Sequence, residues 1–350
     1  MNFEQSRRTS VMFSFRGDDP KANPYVTTLS ALVAEHVDVV PFAWRGLLFQ
    51  RVDVFHVHWP EALLASRTWY GRIAKRALLL LVIARSACSR FTIVRTMHNI
   101  APHESGHGRV HRWLLVMLDR QTKVSFVLNR SSGFVSDTKR VVVLHPDYRN
   151  IAPFEPRKTS KSVGIVFFGQ LRKYKGVEYL IDAFRDLKKH DVGVTLTVVG
   201  ECNDSDFARY LSTAIDETAG ASLDMRYLSQ EELNEVVRKA DLIVLPYRNI
   251  ENSGSALFAL SVGRPLLIRG TPATFELQQE VGKEWVRYFS GDLDTIDLQE
   301  AVCWSVGPRS GMPVFDENRS WAFTVEQTVD VYNSASRRRF KKLGLMHGSI

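Results

Sequence analysis

The chain has little of what staples a small protein or anchors one in a bilayer. Its 350 residues hold three cysteines, Cys88, Cys202 and Cys303. They are odd in number and far apart, so neither a disulfide framework nor a metal spacing can be read from them, and a reducing compartment fits. The longest apolar run, Ala77 to Ala84, falls far short of the roughly 20 residues that cross a membrane. The first residues, Met1 to Ser10, are polar and carry no signal-peptide core. These absences predict a cytoplasmic protein, or one peripheral on the inner face of the cell membrane. No Gly-x-Gly-x-x-Gly is present and no Gly-Lys-Ser/Thr closes a Walker loop, which excludes two common phosphate fingerprints. No helix-turn-helix signature, zinc-finger spacing or set of RNP aromatics is visible, so no nucleic-acid partner is expected. No His-Glu-x-x-His helix exists, and neither a metal nor a cofactor is expected.

What is present suits two ordinary cores. The length suggests two domains, and 45% apolar residues with 11% aromatics argue against disorder. The net charge of +8 is uneven. Residues 1–150 hold 21 Lys and Arg against 11 Asp and Glu, a net +10; residues 151–350 hold 25 against 27, a net −2. A basic half without a nucleic-acid module leaves an anionic membrane or a phosphorylated substrate as its partner.

Strand and helix signals alternate along both halves. Strands are expected at 11–15, 37–42, 52–57, 91–96, 123–128 and 140–144, then at 163–168, 194–199, 223–228, 241–246 and 265–269. Helices are expected at 25–36, 69–89, 109–120, 176–189, 204–219, 230–240, 254–262 and 273–281. Alternation of this kind predicts α/β architecture, with parallel sheets covered by helices on both faces. The polar, aperiodic stretch 150–162 reads as a linker between a domain over 1–150 and a second over 151–350, the latter ending in a helix and a basic tail. Ligands of such sheets bind beyond the C-terminal strand ends, so two facing domains would place the site in the cleft between them.

One stretch organises the second half. The apolar strand Val163–Phe168 runs into Gly169-Gln170-Leu171-Arg172-Lys173-Tyr174-Lys175-Gly176, and a helix with Val177, Leu180, Ile181 and Phe184 on one face follows. Free amides and the helix dipole favour an anion there, and fixed cations beside them suit a diphosphate. The competing reading is an ordinary strand–helix turn with solvated lysines. A second loop of this kind follows the strand ending at Pro246, with Tyr247 early in it and Asn252, Ser253 and Gly254 at the next helix start. Small residues there admit a phosphate, although Ser253 is equally an ordinary N-cap.

On these residues the second half resembles the nucleotide-diphospho-sugar domain of a GT-B glycosyltransferase. Gly169, Leu171, Lys175 and Gly176 match that family's Gly-Arg-Leu-x-x-x-Lys-Gly loop, with Arg172 standing in for the arginine that Gln170 replaces. The second glutamate of the Glu-x7-Glu pattern of many retaining members falls at Phe258 or Ala259. The chain is more similar to the bacterial exopolysaccharide (xanthan-type) β-1,4-mannosyltransferases, glycosyltransferase family 94. It shares their runs at His56–Glu61, Arg95–Glu104, Tyr174–Glu178, Asn252–Gly254 and Ala259–Ser261. The resemblance implies two doubly wound Rossmann-like domains and a hexosyltransferase. It implies transfer of mannose from GDP-mannose to a polyprenyl-diphosphate-linked oligosaccharide, with inversion and without magnesium. A retaining transferase, or a sugar-binding scaffold subunit, is the alternative.

The N-terminal loops then become candidates for the acceptor. Arg16 and Asn23 lie in the first loop, His58 and Trp59 after the third strand, His98, His103 and Glu104 after the fourth, and His145 after the sixth. His56 and His58 are expected to point to opposite faces of their strand, so that His58 alone reaches the cleft. Glu104 or His98 is the candidate general base. Asp204-Ser205-Asp206 and Asp292-Leu293-Asp294 read as solvated turn carboxylates. The helix from Trp69 begins with Arg67, Arg72, Lys75 and Arg76 beside it and then turns apolar, a pattern for a core helix whose basic, aromatic flank meets anionic lipid.

Overall fold

The structure is a computed structural model that describes residues 7–15, 23–88, 91–98, 108–131, 139–157, 162–190, 193–248, 252–309 and 311–336. The chain divides into two compact units, 1–144 with 318–350, and 145–317.

In the first unit the order is β1 (Ser10–Phe13), α1 (Pro24–Val33), β2 (Asp38–Val40), α2 (Trp44–Phe49), β3 (Val54–Val57), α3 (Pro60–Leu64), α4 (Trp69–Ala87), β4 (Thr92–Met97), α5 (Arg109–Gln121), β5 (Thr122–Val127) and β6 (Lys139–Val142). Its strands pair in parallel in the order β2-β1-β3-β4-β5-β6. The two-residue period of a strand sends alternate side chains to opposite faces. Val11, Phe13, Val54, Val94 and Phe126 bury on one face, under α1 and the last helix of the chain. Met12, Phe55, Val57 and Ile93 bury on the other, under α4 and α5.

The second unit runs β7 (Val163–Phe168), α6 (Val177–Lys188), β8 (Val194–Val199), α7 (Ser205–Asp216), β9 (Ala221–Asp224), α8 (Gln230–Lys239), β10 (Leu242–Leu245), α9 (Gly254–Val262), β11 (Leu266–Arg269), α10 (Pro272–Val281), β12 (Val286–Phe289) and α11 (Thr295–Ser305). The parallel order is β12-β11-β10-β7-β8-β9. Counted along this unit alone it is the 3-2-1-4-5-6 order of a dinucleotide-binding sheet, reversed. The order changes direction between β7 and β10, so that pair marks the crevice where a ligand of such a sheet sits. Apolar β7 and β10, buried on both faces, explain why both read as continuous hydrophobic runs.

Three expectations need correction. Residues 150–157, the described part of the expected linker before residue 162, pack on the second unit. Tyr148 and Ala152 bury in the second unit's core, the Tyr148 amide donates to Ser261 Oγ at 2.9 Å, and Arg157 pairs with buried Asp241 at 2.7 Å. The chain passes from one unit to the other at Leu144–His145 rather than at 150. The final helix, α12 (Trp321–Ser336), belongs to the first unit, because Val325, Tyr332 and Ala335 complete its core beside Val11 and Phe13. Strand β12 and helices α2, α3 and α11 extend the sequence reading. No helix among the described residues is long and apolar enough to cross a membrane.

Candidate functional site

In the second unit the loops after β7, β8 and β10 meet at the switch point. Gly169 has φ +118°, a conformation that side chains rarely adopt. A Cβ there would lie 3.1 Å from Lys175 Nζ, 3.6 Å from Ser255 Oγ and 3.8 Å from the Tyr247 hydroxyl. Glycine thus leaves a bare backbone beneath a lysine ammonium and two hydroxyls. A Cβ at Gly200, after β8, would collide with the Gly169 carbonyl, so the first two loops also need their glycines to approach. A turn of 3-10 helix, Lys173–Lys175, carries Lys175 back over Gly169, and Gly176, at φ +65°, starts α6.

Burial pulls the Lys175 pKa down to about 8, with the Arg172 charge adding to the effect and Tyr174 opposing it. Its ammonium lies 4.8 Å from the centroid of the Tyr247 ring, a cation–π contact. Tyr247 is buried, its hydroxyl donates to Ser255 Oγ at 3.4 Å, and burial pushes its pKa up to about 12. A partly desolvated cation held by a ring and facing hydroxyls has the chemistry to receive an anion.

The N-terminus of α9 closes the other side. Ser253 Oγ accepts from the Ala256 amide at 3.1 Å, so Ser253 is the N-cap that its sequence position allowed; its hydroxyl proton remains available to an anion. A Cβ at Gly254 would lie 2.8 Å from the Tyr148 hydroxyl and 3.7 Å from His145 Nε2. His145 is therefore a residue of the second unit, buried against the start of α9, with Asn252 and Ser253 immediately before that helix. Its Nδ1 lies 2.9 Å from the Pro146 carbonyl. The hydroxyl of Tyr148 was not foreseen, since an isolated tyrosine just before the expected linker carries no pattern. Arg172 lies just before the 3-10 turn, half-buried. Arg248 covers the Tyr179 ring at 4.7 Å, and beside it Glu178 keeps one carboxylate oxygen buried without a hydrogen-bond partner. Burial raises the Glu178 pKa, and Arg248 opposes this.

In the first unit the order reverses between β1 and β3, and the loops after those strands again carry the candidates. His56 and His58 do not point to opposite faces: residues two apart on a strand share one, and their rings lie 4.3 Å apart. His56 is wholly buried. Its Nδ1 is 2.5 Å from the Tyr332 hydroxyl and its Nε2 is 2.8 Å from Thr96 Oγ1. Burial, then the His98 charge, depresses its pKa to about 3. His58 is held well below the ordinary histidine range by burial and by His56. Its Nδ1 lies 3.1 Å from His98 Nε2, so one imidazole donates and the other accepts. Its Nε2 is buried without a partner. Trp59 stacks on His98 with ring centroids 4.2 Å apart, and Tyr25 meets the edge of the same imidazole at 5.4 Å.

Asn23 is the N-cap of α1, its side chain accepting from the Tyr25 amide at 2.9 Å. Arg16, His103 and Glu104 lie outside the described residues. Asp204 and Asp294 cap α7 and α11, so these two carboxylates serve helix ends. Tyr332 and Tyr25, which bracket the histidines, were missed by sequence reasoning. Val325, Thr328, Tyr332 and Ala335 recur at helical spacing, a signal that could have placed Tyr332 on a buried face.

Residues 162–301 match the family model described as glycosyl transferases group 1. The chain is 33% identical over 287 residues to the GDP-mannose:glycolipid 4-beta-D-mannosyltransferase of Xanthomonas campestris pv. campestris, a match that covers 82% of this chain and 81% of that one. Among solved structures, sucrose-phosphate synthase from Thermosynechococcus elongatus superposes with a TM-score of 0.62 at 13% identity, over 95% of this chain and 98% of that one. Anabaena HepE in complex with UDP-glucose gives 0.60 at 14%, over 96% and 100%. At such identities the structural likeness speaks for the GT-B fold alone.

Proposed function

The chain belongs to the group 1 glycosyl transferases, in the family of the Xanthomonas GDP-mannose:glycolipid 4-beta-D-mannosyltransferase, and from that premise we propose that it transfers mannose from GDP-mannose to a glycolipid acceptor. It is a glycosyltransferase, and a nucleotide sugar is its donor. The acceptor hydroxyl attacks the anomeric carbon, the bond from that carbon to the diphosphate oxygen breaks, and the configuration inverts. The acceptor proton passes to Glu104 or His98. The charge left on GDP is met by Lys175, with Arg172, and by the amides and hydroxyls at the start of α9. The acceptor's own diphosphate-linked lipid keeps it at the inner face of the membrane, with the protein bound peripherally.

The observation that carries this reading is the Lys175–Tyr247–Ser255 arrangement over bare Gly169, at the switch point of the second sheet. Inversion is supported by Phe258 and Ala259. Both are apolar and buried within α9, where the retaining pattern needs a carboxylate. The test is a thermal-shift panel of GDP, UDP, ADP and TDP, followed by NMR of the product anomer. GDP should give the largest shift and the product should be the β-anomer. A larger response to UDP would overturn the donor, and an α-product the mechanism.

A further inference from the structure

Helices α1 and α12 lie side by side on the first sheet, and the rings of Tyr25 and Trp321 meet at 5.8 Å. Leu29 and Val33 of α1 bury beneath them with Val325 and Tyr332 of α12. Outside that core the two helices leave a groove of about 510 Å³. Its floor is apolar, built by Leu32, Trp321, Val325 and Val329. Its rim is acidic, with Glu35 from the end of α1, Glu326 and Asp330 from α12, and His36 beside them.

None of the three carboxylates is well served by its own element. Glu326 and Asp330 stand four residues apart on one exposed stripe of α12, where like charges repel. Glu35 follows Ala34, the C-cap of α1, at the end of the helix dipole that disfavours an anion. All three are exposed, and no hydrogen bond or ion pair among the described residues engages their side chains. They also stand against the charge of their surroundings, since residues 1–150 carry 21 cations against 11 anions. Unpaired carboxylates around an apolar floor fit an occupant that carries both cations and apolar side chains.

The chain contains such a segment. Residues 337–350 follow α12 and lie outside the described residues. The end of α12 is fixed beside β1, because Thr9 Oγ1 bonds to Asn333 Oδ1 at 2.8 Å and lies 3.1 Å from Ser336 Oγ. Arg337, Arg338, Arg339, Lys341 and Lys342 come first, with Phe340 among them, and Leu343, Leu345 and Met346 follow. Counted back along α12 from Ser336, Asp330 and Glu326 come before Val325 and Trp321. A segment doubling back along the helix therefore brings its cations to the carboxylates and its apolar residues to the floor. Ser336 to Trp321 is roughly 22 Å of helix, a span of about seven extended residues. Residues 337–350 number 14.

We propose that residues 337–350 dock in this groove within the same chain, their cations on Glu35, Glu326 and Asp330 and their apolar residues on Leu32, Val325 and Trp321. The segment then clasps α12 onto α1. Its tether makes the encounter intramolecular, at an effective concentration of roughly millimolar order, ahead of a free partner of the same chemistry. The groove of a second copy fits worse, because a two-fold interface would set these carboxylates against their own equivalents.

The test is limited trypsin digestion of the full chain, with intact mass separating cuts after residues 337–342 from cuts elsewhere. Where docking is fast, cutting follows the undocked fraction. Wild type should be cut slowly there at low salt and faster as the Debye length shortens. Glu35→Gln with Glu326→Gln and Asp330→Gln removes three ion pairs of the exposed kind and should speed those cuts by at least about fivefold. The three positions are exposed, and an unchanged thermal midpoint would show that the fold is kept. Arg337→Gln with Arg338→Gln and Lys341→Gln approaches the contact from its other side, and should speed amide exchange in residues 322–331 by at least about twofold. Equal cutting of wild type and the rim variant would overturn the proposal, as would exchange in 322–331 that the tail variant leaves unmoved. So would protection that grows with protein concentration, since the segment of a second copy would then be the occupant.

Discussion

Lys175 is held where burial and ligand binding act in opposite directions. Burial takes its pKa from 10.5 to about 8. Between those values the unfolded chain keeps a proton that the folded lysine has lost, so this group makes stability rise with pH across that window. Diphosphate binding needs the ammonium, so GDP affinity should fall as pH passes about 8, by at most about tenfold per unit for one proton. Lys175→Ala should weaken GDP by about 1.5–3 kcal/mol at neutral pH and remove that dependence, both read by calorimetry. Free guanosine should bind the two proteins alike. His56 shows the same sign of linkage in the acid range. Its pKa falls from 6.5 to about 3, so the unfolded chain binds a proton first as pH drops. Its contribution is fully present above pH 6.5 and is lost toward pH 3, at up to about 1.4 kcal/mol per unit. Urea unfolding at pH 7 and pH 5 should show the loss, and His56→Gln should flatten it.

At the scale of elements, α12 is the piece whose place matters most. It is last in the chain, yet Tyr332 delivers its hydroxyl to His56 Nδ1 inside the first unit. Tyr332→Phe leaves a buried ring nitrogen without its partner and should cost about 1–3 kcal/mol in denaturant unfolding, with GDP affinity unchanged. A loss below about 0.5 kcal/mol would mean that water or a shifted side chain replaces the bond. The turn into α6 depends on its glycine in a different way. Gly176 has φ +65°, and a Cβ there would meet the Pro246 carbonyl. Gly176→Ala should therefore destabilise by more than the roughly 1–2 kcal/mol of left-handed backbone alone, and should displace Lys175. An alanine variant with wild-type stability and wild-type GDP affinity would contradict that geometry.

For the whole molecule, the two sheets are separate structures. The second repeats the dinucleotide-binding strand order and gathers its loops at one switch point. GDP should accordingly slow amide exchange in residues 169–176 and 252–257. Protection spread evenly over the chain would place the nucleotide elsewhere. The first sheet has a different order and holds the histidines. The excess of positive charge in residues 1–150 belongs almost wholly to it.

The sequence by itself determined the class of fold and the strand–glycine–helix loop that is proposed to hold the diphosphate. Buried parallel strands are nearly uniform in apolar residues, and Gly169, Lys175 and Gly176 stand within eight residues, so local pattern suffices for both. The Ser253 cap was legible for the same reason, because capping is a contact between near neighbours. The assignment of His56 and His58 to opposite faces was an error of period, which the sequence itself could have prevented. What only the tertiary structure decided is every contact across long separations. Tyr332 reaches His56 across 276 residues, Tyr148 reaches Ser261 across 113, and His58 reaches His98 across 40. Periodicity reports which side of an element is buried; it does not report what covers it. The same limit applies within α4, where one apolar run holds both Leu79, Val82 and Ile83, which the fold buries, and Leu80 and Leu81, which it leaves exposed.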